Sequence, residues 1–210
     1  IFQRDSDHSP IRLFVLGSGF MKKILGIVVL GLLLSVNSYA DDDIRDLQLN
    51  GMSLGDSALE YFDEKEIKKN ITNWYKNKDV IGVSIEVNDQ DFDEINIHYW
   101  ANDKSYTLIA IGGIKYYKNE ITKCRAQMKE EVKTIADSFK GLRKETYNKR
   151  HSGDKTKKSK TYNTEFKFKS GDLIKISCFD WSKKMKYWDN FRMSLLAAEF
   201  DDWLYKAYKY

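Results

Sequence analysis

The sequence predicts an α+β domain built mainly on antiparallel sheet, with elements in the order α-α-β-β-β-α-β-β-β-α. Three observations carry that expectation. Short runs of alternating apolar and polar residues come in groups separated by turn residues, as strands of hairpins and meanders do. Stretches of helical period stand between those groups. No single strand alternates with a single helix, so the parallel α/β pattern is not predicted.

The chain opens on a segment set aside from the fold. Residues 1–20 (IFQRDSDHSPIRLFVLGSGF) begin with Ile1 and are read as translated upstream DNA or a cloning remnant. Met21-Lys22-Lys23 is then a short basic start, and Ile24 to Val36 is an apolar run of 13 residues. Small residues follow at Ser38 and Ala40, and acidic Asp41, Asp42 and Asp43 come next. That order is a signal peptide over residues 21–40, with cleavage between Ala40 and Asp41 expected. The apolar run is short of the roughly 20 residues that a membrane-spanning helix needs. Residues 41–210 are read as one domain, long enough to bury a core. The whole chain carries a net charge of +4. The discarded part takes Arg4, Arg12, Lys22 and Lys23 with it against Asp5 and Asp7, so the domain itself is only slightly basic. Its only proline, Pro10, also lies in the discarded part. Abundant Lys, Asn, Ile and Tyr are what an AT-rich genome produces, so the lysines alone indicate no partner.

Two short helices are predicted first. Ser53 with Asp56 opens one over about 54–62, and Asp63 with Glu66 opens the second over about 64–75, with Ile67, Ile71 and Trp74 at helical spacing. Three strands follow. Ile81, Val83, Ile85 and Val87 alternate with small or polar residues, as do Ile95, Ile97 and Tyr99. Tyr106 to Ile111 is nearly continuous apolar and marks the most buried strand, and Gly112-Gly113 marks a bulge or its end. A long helix over about 119–139 places Ile121, Cys124, Met128, Val132, Ile135 and Phe139 on one stripe. Residues 140–160 are polar and basic and read as a mobile loop or hairpin tip. Phe166 and Phe168 then pair across Ser170-Gly171 with Ile174, Ile176 and Cys178 in a hairpin. Phe191, Met193 and Leu195 form a last strand, and Phe200, Trp203, Leu204, Ala207 and Tyr208 an amphipathic final helix. A helix precedes each strand triplet, which hints at an internal repeat.

Cys124 and Cys178 are an even pair on core-facing stripes. In an oxidising compartment they favour a disulfide, with two separate buried thiols as the alternative. There is no C-x-x-C to make them a redox pair. His98 and His151 have no partner at metal-ligand spacing and read as surface histidines, so neither a metal nor another cofactor is expected. Gly55-Asp56-Ser57 resembles the nucleophile block of GDSL-type esterases. The D-x-x-H that such enzymes also need occurs only as Asp5 to His8, ahead of the signal peptide, so Ser57 reads as a first-turn helix residue. The stretch Lys140 to Lys169 holds 11 basic and three acidic residues with aromatics between them. Within it Arg143, Lys144, Lys149, Arg150, Lys155, Lys157, Lys158 and Lys160 are the candidate anion- or partner-binding residues, against the alternative of a solvated loop. The terminal Tyr208-Lys209-Tyr210 is the kind of end used by outer-membrane barrels, but six or so strands interrupted by helices do not make a barrel.

The block Gly51-Met52-Ser53-Leu54-Gly55-Asp56-Ser57-Ala58-Leu59-Glu60-Tyr61-Phe62 resembles the opening of a family of small exported bacterial proteins. Phe191-Arg192-Met193-Ser194 leading to Phe200-Asp201-Asp202-Trp203-Leu204 is similar to their ends. The resemblance implies export and no particular activity. More distantly, Gly51-Met52-Ser53 before two helices and three strands resembles the α-α-β-β-β domains of outer-membrane assembly lipoproteins, without their lipid-bearing Cys.

The expectation is therefore a periplasmic or secreted binding or interaction module of the cell envelope. Its partner would be an envelope protein or an anionic envelope polymer. No nucleic acid is expected, and no membrane contact beyond the signal peptide. The alternative is a periplasmic, hydrolase-like enzyme. A deep pocket gathering carboxylates or His98 would favour the enzyme; a flat basic face or exposed apolar patch would favour the binder.

Overall fold

Alternation dictates the strands, and the strands assemble into one sheet. A computed structural model describes residues 43–87 and 90–208 of the 210-residue chain. Expectations for residues 1–20, for the signal peptide and for cleavage between Ala40 and Asp41 fall outside the described residues. Eight strands pair antiparallel throughout: β1 (Ile71–Thr72), β2 (Val80–Glu86), β3 (Glu94–Trp100), β4 (Ala110–Tyr117), β5 (Arg143–Arg150), β6 (Lys160–Lys167), β7 (Leu173–Asp180) and β8 (Asp189–Leu196). Their order across the sheet is β1-β2-β3-β4-β8-β7-β6-β5. Three helices accompany them: α1 (Glu64–Lys69), α2 (Ile121–Ser138) and α3 (Ala198–Tyr208). The class is α+β, as predicted. Each half is a helix followed by four strands, and the halves meet where β4 pairs with β8, Gly112 opposite Ser194 and Ile111 opposite Leu195.

One face of the sheet carries the main core. Val83, Ile95, Ile97, Ile111, Ile174, Ile176, Cys178, Phe191, Met193 and Leu195 all point to it and are almost fully buried. The stripe Cys124, Met128 and Ile135 of α2 covers that face, as the helical period predicts. The N-terminal segment completes the cover with Ile44, Leu47, Leu49, Met52, Leu54 and Ala58. Cys124 and Cys178 are bonded, with Cα atoms 6.0 Å apart, and tie α2 to β7 inside this core.

Four local expectations differ from what forms. The helix expected over 54–62 is only a 3-10 turn at Ala58–Glu60, capped by Ser57. Gly55 has φ +92°, and the backbone here is spent on pairing: Gly55 donates to the Leu108 carbonyl, Leu108 to that of Asp56, and Ala58 to that of Tyr106. The helix expected over 64–75 stops at Lys69, because Ile71 and Thr72 pair with Val83 and Gly82 as an edge strand. The third strand is shifted forward, so that Gly112-Gly113 lie inside β4 rather than at its end. Gly113 is needed there because a Cβ would sit 2.5 Å from the Phe92 ring. Finally, residues 143–150, expected as loop, form β5. As an outermost strand it is polar on both sides, so it lacks the alternation that identifies the others, and its Lys and Arg side chains discourage pairing with other chains.

Candidate functional site

The opposite face of the sheet is only partly covered. Helix α3 packs over one end, burying Val80, Ile109, Ala110, Leu173, Leu196 and Phe200. At the other end the connection from β7 to β8, residues 181–188, folds back as a wall. Between them lies an open cleft of about 1010 Å³. Strand alternation puts the polar residues of the central strands on its floor: Ser84, Glu94, Asn96, Asn190, Arg192 and Ser194. Gly112 lies among them, and its missing side chain leaves the floor deep where the two halves of the sheet join.

Glu94 and Arg192 are the charged groups of the floor. Glu94 is burdened by desolvation but accepts hydrogen bonds from Ser84 Oγ, from Tyr116 Oη at 2.6 Å and from Asn96 Nδ2 at 2.7 Å, and these hold its carboxyl below the ordinary value. Arg192 stacks its guanidinium 4.4 Å over the Phe179 ring and donates from Nε to Asn190 Oδ1 at 2.9 Å. Burial lowers its pKa, and the Glu94 carboxylate opposes that shift.

His98 stands on the floor toward α3. Its Nδ1 bonds the Tyr75 hydroxyl at 3.0 Å, and its ring stacks on Phe200 with centroids 5.1 Å apart. Desolvation pushes its pKa down to about 3, so the imidazole is neutral at physiological pH. The sequence placed His98 on the polar face of its strand correctly. The surface environment expected for it is not found, because α3 and Tyr75 enclose that part of the face.

The far wall is aromatic. Trp181, Tyr187 and Trp188 line it, with Tyr187 57% and Trp188 50% exposed. Trp181 packs on Phe179, on Tyr187 and, at 4.5 Å, on the His151 ring. Trp74, 44% exposed, flanks the opposite side of the cleft over Gly82. One buried carboxylate anchors the aromatic wall. Asp154 accepts from Thr156 and Ser159, backbone and hydroxyl each, and from Ser182 Oγ at 2.8 Å. Those bonds, led by Ser159, hold its carboxyl far below the ordinary range. They also fasten the 151–159 turn to the start of the aromatic segment.

The basic residues singled out in the sequence are all exposed and are spread over several surfaces. On β5 the alternation sends Arg143 and Lys149 to the cleft side of the sheet and Lys144 and Arg150 to the α2 side. Lys155, Lys157 and Lys158 sit on the turn, and Lys160 begins β6. None lines the cleft. Lys144 instead joins Arg125 and Lys129 along a smaller groove beside α2. Ser57 is a cap: its hydroxyl donates to the Ser105 carbonyl at 2.6 Å and accepts from the Leu59 N–H. Among the described residues, no group of three or more His, Cys, Asp or Glu could hold a metal ion, and no helix is long and apolar enough to cross a membrane.

Sequence reasoning missed Arg192, Glu94 and the aromatic wall as a site. Arg192 and Glu94 read as the solvent side of amphipathic strands. The cluster Trp181, Tyr187 and Trp188, in a segment without strand or helix period, was the available signal. Comparison of the chain with protein-family models, with curated protein sequences and with solved structures finds no match to any of them.

Proposed function

We propose that the protein is an exported binding module of the cell envelope, with its ligand site in the cleft on the open face of the sheet. The observation that carries this is a hydrogen-bonding floor between walls of exposed aromatic rings. Large aromatics left in contact with water at a concave surface are what a recognition site provides. The signal-peptide pattern, the buried disulfide and the resemblance of both chain ends to exported proteins support the location.

The enzyme alternative is weaker, although the cleft does gather Glu94 and His98. A general acid or base works best with a pKa near the operating pH. His98 is held neutral far below that pH, and Glu94 is held ionised by three donors. The two stand four residues apart on one face of β3, about 13 Å along the strand, too far to act as a pair. Ser84 donates to Glu94, but a carboxylate stabilised in its charged form is a poor base for activating a hydroxyl.

The test is a library of small polar compounds screened against the isotope-labelled protein by NMR. Indole N–H signals of Trp74, Trp181 and Trp188 should move with the first ligands found. Shifts confined to β5 and the 151–159 turn would overturn the cleft in favour of the basic surface.

A further inference from the structure

We propose that the cleft takes an acidic sugar, its carboxylate or phosphate on the Arg192 guanidinium and its ring against the aromatic wall. This rests on the cleft being the ligand site, and names the class of ligand.

Arg192 is the first argument. Arg192 is half-buried on the cleft floor. Here only Nε is used, on the neutral Asn190. Among the described residues, no carboxylate oxygen lies within 4.0 Å of the guanidinium, and its terminal N–H groups have no protein acceptor. The carboxylate nearest in the sheet register, Glu94 on β3, is committed to Ser84, Asn96 and Tyr116. A guanidinium offers a planar fork of donors that matches a carboxylate or phosphate with two parallel bonds. Packing over Phe179 holds that fork in place, which spares part of the entropy of binding.

Trp181 adds a second observation at the wall. Its indole N–H is buried at the cleft wall and finds no protein acceptor. Leaving a buried donor unsatisfied is costly. The Arg192 fork, without a protein acceptor at this cleft, calls for an acceptor-rich ligand. A cationic ligand would leave that fork unsatisfied and add a like charge beside it.

The rest of the cleft selects a sugar over a simple anion. Ser194 can exchange hydrogen bonds with a hydroxyl group, being both donor and acceptor. Tyr187 and Trp188 present ring faces that suit the C–H face of a pyranose, while Lys118, 5.2 Å over the Trp188 ring, keeps that end positive.

The experiment is a titration followed by intrinsic tryptophan fluorescence, which reports directly because Trp74, Trp181 and Trp188 line the cleft. The probes are tetragalacturonate, glucose 1-phosphate, cellotetraose and sodium acetate. Saturable quenching by tetragalacturonate or glucose 1-phosphate is expected, with cellotetraose and acetate at least about tenfold weaker. Which of the two acids binds tighter separates a carboxylate from a phosphate ligand. Arg192→Gln should weaken the acid about tenfold or more, and Arg192→Lys by less. Tyr187→Ala, at an exposed position, should weaken it with the melting temperature unchanged, which guards against a misfolded Arg192 variant. If cellotetraose binds as tightly as the acids, or Arg192→Gln binds normally, the acidic ligand is wrong while the cleft stands. If none of the four quenches the folded protein, the sugar assignment falls. If the Tyr187→Ala protein in addition responds to NMR-identified ligands as the wild type does, the cleft reading falls with it.

Discussion

A single side chain on the covered face gives the molecule a pH dependence. Glu131 of α2 is buried beneath the helix, and desolvation, with the charges of Asp91 and Glu130, raises its pKa to about 7. The folded state therefore holds a proton that the unfolded chain releases near the ordinary glutamate value. Stability from this group is fully present below that ordinary value and is lost as pH rises through about 7. Glu131→Gln should then stabilise the protein at pH 8, by at most about 3 kcal/mol at the scale of 1.36 kcal/mol per pKa unit. The gain should shrink steadily as pH falls toward 4. Urea unfolding at several pH values checks this; an equal effect at all pH values would contradict it. The cleft residues behave differently. His98 and Glu94 stay in one charge state across the physiological range, so ligand affinity should show little change from pH 6 to 8 on their account.

Among the elements, the link between α2 and β7 is the most readily tested. The bond between Cys124 and Cys178 closes a loop of 54 residues in sequence separation and lies wholly within the core. Loop-closure entropy assigns such a bond roughly 4 kcal/mol. Cys124→Ser and Cys178→Ser together should lower the free energy of unfolding by about that amount and leave the far-ultraviolet circular dichroism of the folded state unchanged. The core-facing elements were legible in advance for a plain reason. Burial imposes a period, and Val83, Ile97, Cys178 and Met193 obey it. Elements without a one-sided burial pattern were not legible. Strand β5 is wetted along both faces, and β1 is two residues long. Ile71 and Trp74 kept helical spacing with Ile67 and still left the helix, because strand pairing to β2 and packing over Gly82 outweighed the local preference. The cleft was illegible for a third reason. Polar residues on strands look alike whether they face bulk water or a shared concavity, and only the return of residues 181–188 across the sheet distinguishes the two.

At the scale of the whole molecule, the two faces of one sheet divide the work. One is closed by α2 and the N-terminal segment and holds the core; the other is open between α3 and the aromatic wall. Export as proposed predicts a measurable mass. The protein recovered from the envelope or medium should begin at Asp41 and be two daltons lighter than its reduced sequence, by intact mass spectrometry with and without reductant. A chain still carrying residues 21–40 would contradict cleavage, and an unchanged mass on reduction would contradict the bond.

The position of β8 has a consequence for how the chain reaches this state. It is the last strand in sequence, yet it stands between β4 and β7 at the middle of the sheet. Synthesis from the N-terminus delivers seven strands before the one that joins them. Until Asp189–Leu196 arrives, β4 and β7 both present unpaired backbone, the template on which strands from neighbouring chains add. Joining the halves also waits on contacts between residues distant in sequence, which are slow to form. The emerging chain therefore passes through an interval in which its own centre is its most adhesive surface. Loss of the chain from Asp189 onward would not trim this protein from one end but remove its keystone, leaving two half-sheets with no native partner.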